Sequence, residues 1–191
     1  MSFGLVKHNN NSISAITSAG QLAQGKMTLI KEQTASSSSS ISFVDGSGGV
    51  VLDSTYPIYV FKFIDIHPST DQAALSFQAN ASGGSGYNET ITSTVFQVNH
   101  AESGSDSSVS YHTSYDQAQG TGFQRLYHFI GNDNDQCGVG TLHLFNPSST
   151  TFVKHFISVG SMSHASDYAY QYYVAGYFNT TSAIDEIQFK M

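Results

Sequence analysis

The chain's 191 residues predict an all-β fold, an antiparallel β-sandwich of jelly-roll form. Three observations carry this. Short apolar or alternating runs recur along the chain, separated by Gly, Pro, Asn and Ser turn signals. From residue 27 on, no segment sustains a 3.6-residue period with caps, and only residues 117–131 admit a helical reading there; residues 14–26 fit one helical turn or an extended arm. Finally, charged residues make up 11% of the chain, against about 25% in an ordinary globular domain, while aromatics reach 13%. Disorder combines high charge with few aromatics, so this composition belongs to a folded chain. It is typical of sandwiches that spend their surface on contacts, as in viral shells, fibres and lectins. A domain of this size buries about 70% of its unfolded surface, enough to fold without a disulfide or a metal.

Residues 1–26 are set apart by the polar break His8-Asn-Asn-Asn-Ser12 and lack hydrophobic periodicity, so they read as an N-terminal arm. The sandwich is expected over residues 27–191. Its first strand is placed at residues 27–33, before the flexible run Ser36–Ser40, and the next at residues 41–44, before the Gly-rich break at residues 45–49. Residues 58–66 (IYVFKFIDI) are apolar at nearly every early position and predict a buried central strand, with Pro57 at its start where a missing N–H is tolerated. Alternation of Leu75, Phe77 and Ala79 with Ser76 and Gln78 predicts another strand, and Thr92, Thr94, Phe96 and Val98 a further half-buried one. Residues 138–146 and 151–159 flank Pro147-Ser-Ser as a hairpin. Residues 168–178 and 184–191 complete eight or nine strands. Val60, Phe61, Phe63, Leu75, Phe77, Phe96, Leu142, Leu144, Phe152 and Phe156 are the expected core. Residues 101–123 read as one long polar loop.

Catalytic signatures are missing. The formal charge of −7 and seven scattered basic residues argue against nucleic acid, because phosphate binding needs clustered Lys and Arg. No apolar run is long enough for a membrane-spanning helix, and residues 1–8 have no signal-peptide core. Cys137 is the only cysteine, which excludes a disulfide framework. His100, His112, His128, His143, His155 and His164 are spread over separate segments without metal-ligand spacing. The run Asn132-Asp-Asn-Asp135 offers oxygen ligands, but it lacks the further ligands calcium needs and reads as an Asn/Asp-capped turn. Asp185 and Glu186 are adjacent on a strand and point to opposite faces, unlike the paired carboxylates of a glycosidase. We expect no catalytic residues, no cofactor and no metal.

One feature exceeds background. Tyr168, Tyr170, Tyr172, Tyr173 and Tyr177, with Phe178, crowd one strand without a charged residue between them. Alternation puts Tyr168, Tyr170 and Tyr172 on one face and Tyr173 and Tyr177 on the other. Tyr combines apolar area with a polar tip, which suits protein interfaces and stacking on sugar rings. These five tyrosines are the candidate interface.

The wording of several segments resembles a family of structural proteins in marine tailed bacteriophages, chiefly cyanophages. Those segments are FKFIDIHP (61–68), GGSGYN (83–88), GNDND (131–135), LFNPSSTTFVKHF (144–156) and GYFNTT (176–181). The resemblance covers most of the chain from about residue 27. It implies a virion-associated sandwich with no enzymatic residues to carry over. The missing signal-peptide core places synthesis in the host cytoplasm, and the arm of residues 1–26 and the tyrosine-rich strand are expected to contact other copies of the chain, as a homo-oligomer, and other virion proteins. The resemblance leaves capsid decoration, neck, head fibre and tail fibre open. The family pattern continues past the position of Met191 into a final strand, so the expectation is either a longer natural chain or a strand supplied by a partner. The alternative function is a carbohydrate- or receptor-binding module recognising a host surface glycan.

Overall fold

Eleven strands arise from the period-two segments of residues 27–191, the part of the chain the computed structural model describes; the expected arm, residues 1–26, lies outside them. They are β1 (Ser40–Val44), β2 (Ile58–Ile66), β3 (Ala73–Ala81), β4 (Ile91–Ala101), β5 (Ser107–Tyr111), β6 (Ala118–Gly120), β7 (Gln124–Ile130), β8 (Gly138–Phe145), β9 (Lys154–His164), β10 (Tyr168–Phe178) and β11 (Ile184–Lys190). Among the described residues there is no helix, and the unit from Lys31 to Met191 is all β. The antiparallel sandwich predicted from sequence is thus present.

One layer runs β1–β11–β3–β7 and the other β2–β8–β9–β10–β4–β5, with β6 also on β4; every neighbouring pair is antiparallel. The layers join at one corner, where Ile130 of β7 pairs with His164 of β9. The chain alternates between layers except in two runs, β4–β5–β6 and the meander β8–β9–β10, which each stay within one layer, a departure from a simple eight-stranded jelly roll.

Aromatic side chains fill the space between the layers. Phe77 of β3 meets Phe156 of β9 and Phe178 of β10, at ring-centre distances of 5.0 and 5.9 Å. Phe189 of β11 meets Phe61 and Phe63 of β2 at 5.2 and 5.1 Å, and Phe43 of β1 adds a contact to Phe61 at 5.3 Å. Such edge-on and tilted pairs add to the value of the buried area itself. Tyr127 of β7 crosses the interior to the facing pair Gly140 and Gly160 of β8 and β9, where its ring occupies the space side chains would fill. Fully buried Lys154 donates through Nζ to the carbonyl oxygens of Phe152 and Thr180.

Several expectations are corrected. Residues 27–33 form no strand, and Met27 and Leu29 are exposed. β2 is an edge strand paired only to β8, with Tyr59 and Phe63 as its buried side chains and Val60 and Phe61 half-buried. Its apolar run serves two surfaces, one of them outside the core. Residues 101–123 are not one loop, since β5 and β6 both add to the edge of β4. Residues 117–131 form β6 and β7 and no helix. Phe152 is 69% exposed, in the turn between β8 and β9, and Phe96 is 41% exposed. The remaining expected core residues, Leu75, Phe77, Leu142, Leu144 and Phe156, are buried.

Candidate functional site

The tyrosines of β10 divide as alternation requires, because successive side chains of a strand leave it on opposite faces. Tyr172 points inward with Val174 and Phe178, is 2% exposed, and donates its hydroxyl to the carbonyl of His128. Burial holds its phenol well above the usual range. Tyr172 is therefore a core side chain, unavailable for contact, which corrects its place in the candidate interface.

Tyr168 and Tyr170 share that inward parity but lie half-buried toward one end of the strand, in a ladder of histidines and aromatics. His112 stacks on Tyr115 at 4.8 Å, Tyr115 meets His128 edge-on at 4.5 Å, and His128 stacks on Phe129 at 3.8 Å. The ladder continues from Phe129 to His164 at 5.4 Å and from His164 to Tyr170 at 4.7 Å. Residues from β7, β9, β10 and the segment after β5 meet here, a convergence that sequence spacing does not reveal. Burial, then the nearby Arg125 charge, then His164 and His112, push the His128 imidazole down to about 4. Burial also lowers His112 and His164.

This has a consequence for stability. An unfolded histidine takes up its proton near pH 6.5, whereas folded His128 does so only near 4. Between those values the unfolded state binds more protons, so stability falls as pH drops through that window. The loss from His128 should be about 1 kcal/mol between pH 7 and pH 5 after allowing for solvent screening. Urea titrations at the two pH values measure it, and His128→Asn should flatten the difference. Equal slopes in both proteins would refute the assignment.

Tyr173 and Tyr177 emerge on the opposite side, the outer face of the six-stranded layer. Tyr173 stacks flat on Phe96 of β4, with ring centres 4.6 Å apart and planes 7° from parallel. The register places Tyr111, Phe96, Tyr173 and Val159 in one row across β5, β4, β10 and β9. A second row holds Val109, Val98, Gln171 and Ser161, and a third Thr94, Ala175, Ile157, His143 and Val60. Val109, Tyr111, Val139, Ile157 and Val159 are exposed large apolar side chains, as are Ile58 and Ile64 on the same outward parity of β2. The central rows carry no aspartate or glutamate; Lys62 and the exposed Asp65 lie on the edge strand β2, and Asp116 accepts from the hydroxyl of Tyr111 at the opposite edge. His100, His143 and His155 are the histidines of this face.

The outer face of the other layer is built differently. Its outward positions carry Ser42, Ser76, Gln78, Glu186, Gln188 and Lys190. Gln78 is fully buried there and donates to the carbonyl oxygens of Glu89, Thr121 and Gly122, so the chain's own loops cover it. Lys190 caps the Phe123 ring at 3.8 Å. Among the described residues, one outer face is thus polar and covered, while the other is apolar and bare.

Other candidate chemistry does not assemble. No group of three His, Cys, Asp or Glu side chains suited to a metal occurs among the described residues. The segment around Asp133 closes as a turn, with the Gln136 N–H donating to the Asp133 carbonyl and the Gln136 side chain accepting from the Asp133 N–H. A shallow groove of about 220 Å³ is lined by Glu102, Cys137, Val139, Ser161, Tyr168 and Ala169. That is below the roughly 300–1,000 Å³ of small-molecule pockets. No helix of the described residues is long and apolar enough to cross a membrane.

Fold and face together define an antiparallel β-sandwich with one apolar outer sheet that no other described residue covers. No family model, curated protein or solved structure matches the chain.

Proposed function

We propose that the protein is a non-enzymatic structural component of a tailed-phage particle and works by packing against other protein surfaces. The observation that carries this is the bare outer face of β5–β4–β10–β9–β8–β2. Monomeric proteins seldom leave apolar patches larger than a few hundred Å² in water, and larger ones mark interaction sites. Scarce charge and abundant tyrosine suit the core of an interface, where aromatics are enriched and acidic residues depleted. The wording of five chain segments, similar to marine phage structural proteins, points to a virion as the setting. A glycan-binding role would want free aromatic ring faces, yet Tyr173 spends one ring face on Phe96.

Particle assembly tests the proposal. Phage carrying Tyr173→Lys, a substitution that leaves the inward core untouched, should form particles with at least about tenfold less of this protein, a deficit of about 1.4 kcal/mol or more in its interaction. Normal incorporation of a folded Tyr173→Lys protein would overturn the packing role of this face.

A further inference from the structure

We infer that the outer face of the six-stranded layer seats a second copy of this chain, face to face about a two-fold axis passing close to Tyr173. This deepens the packing role proposed above by naming its partner. Three features select a second copy over an unlike protein.

The first is charge. The chain carries a formal charge of −7, so two copies repel over most of their surfaces. The central rows of the face, from Phe96 and Val98 across Tyr173 and Gln171 to Val159 and Ser161, hold no carboxylate, and Asp65, Glu102 and Asp116 stand at its margins. A two-fold axis brings identical surfaces together, and the centre of this face can meet itself without opposing acidic charge. A charged partner would find no ionised side chain to pair with in those rows.

The second is size. With strands about 4.8 Å apart and residues rising about 3.3 Å, the four central strands present a plane of about 600 Å², which β5 and β2 extend to about 800 Å². A standard stable interface covers about 800 Å² on each partner. The face therefore matches what one copy of itself would cover.

The third is shape. The rows centre on Tyr173 and Phe96, whose parallel rings, 4.6 Å apart on neighbouring strands, form one stacked pair. Two such sheets pack with their strand directions about 30° apart and side chains interleaved. Tyr173 lies in the middle of the row between Phe96 and Val159. An axis near it would bring the Phe96–Tyr173 stack of one copy onto the Val159 and Ile157 ridge of the other.

Sedimentation velocity of the full chain from about 1 to 100 µM tests this. A dimer is expected, at a concentration set by a Kd in the micromolar range or below, as for specific interfaces of this size. Val159→Glu places a carboxylate in each half of the interface and should weaken dimerisation at least about 100-fold. Thr94→Glu, at an exposed position with little packing to lose, should do the same if Val159→Glu misfolds. Gln188→Glu on the opposite layer should leave the dimer unchanged. A chain monomeric at 100 µM would overturn the second copy as occupant, as would an oligomer indifferent to both face variants. Either result leaves the packing role to be decided separately by particle incorporation of Tyr173→Lys.

Discussion

Gly160→Ala should destabilise the sandwich by about 3 kcal/mol, the upper end for an over-packed core. A Cβ at Gly160 would overlap the Tyr127 hydroxyl and ring, and those Tyr127 atoms are its three nearest neighbours. Tyr127 is fully buried and hemmed between the layers, with Phe63 and Tyr172 beside it, so the ring has little room to retreat. Because the conflict is with one side chain, it should be relieved by removing that side chain. In a Tyr127→Leu background the added methyl of Gly160→Ala should cost less than about 1 kcal/mol, a coupling of about 2 kcal/mol between contacting residues. Denaturant unfolding of the four proteins of the cycle measures it, and simple additivity would show that the ring does not sit over Gly160. Gly140 makes the contrast. A Cβ there would also approach the Gly160 Cα and the Val159 carbonyl at 2.7 Å, so shortening Tyr127 should not rescue Gly140→Ala.

Phe77→Ala should cost about 3–5 kcal/mol, a large part of the 5–15 kcal/mol that holds a domain of this kind together. Phe77 is completely buried and links the two layers, touching Phe156 and Phe178 across the interior and stacking at 6.2 Å on Phe189 of its own sheet. Its neighbours are large rings anchored on three strands, so the cavity cannot collapse easily. Thermal unfolding should show the largest shift among single phenylalanine truncations. Phe152→Ala, at an exposed turn position, should shift it hardly at all. If the two variants unfolded alike, the assignment of inner and outer residues would be wrong.

Much of the fold was legible because β-strands announce themselves by period and punctuation. The bounds of β2 and β10 fall where the apolar run after Pro57 and the tyrosine-rich run place them. The sides were harder to read. In β4 the sequence makes Phe96 and Val98 look like the buried face, yet the inward residues include Ser93, Gln97 and Asn99. Those polar side chains are tolerated partly because other strands supply partners. Ser93 donates to Gln124, and Asn99 accepts from Ser108. A one-residue error of parity moves every side chain of a strand to the other face. Periodicity reports that a face is apolar, but not whether the same chain covers it. Phe96 was legible as a residue that wants burial, while its exposure depends on the layer order, which no local pattern encodes. The same holds for Val159, Ile157 and Val139, which the sequence offered only as hairpin residues. The histidine ladder was illegible for a related reason, since His112, His128 and His164 meet only once β7, β9 and β10 have been brought together.

The position of β11 between β1 and β3 bears on how the protein comes into being. Among the described strands β1 pairs only with β11, whose partners Lys190 to Glu186 lie far along the chain from Ser40 to Val44. During synthesis, β1 and β3 therefore wait unpaired on that side while more than a hundred residues between them and β11 are made. Contacts between such distant segments form late and slowly, because the loop they close must be ordered first. Until then the nascent chain carries open strand edges beside an apolar sheet face, the conditions under which chains stick to one another wrongly. Slow synthesis or crowded expression should therefore endanger this protein through incomplete chains more than through loss of the finished sandwich.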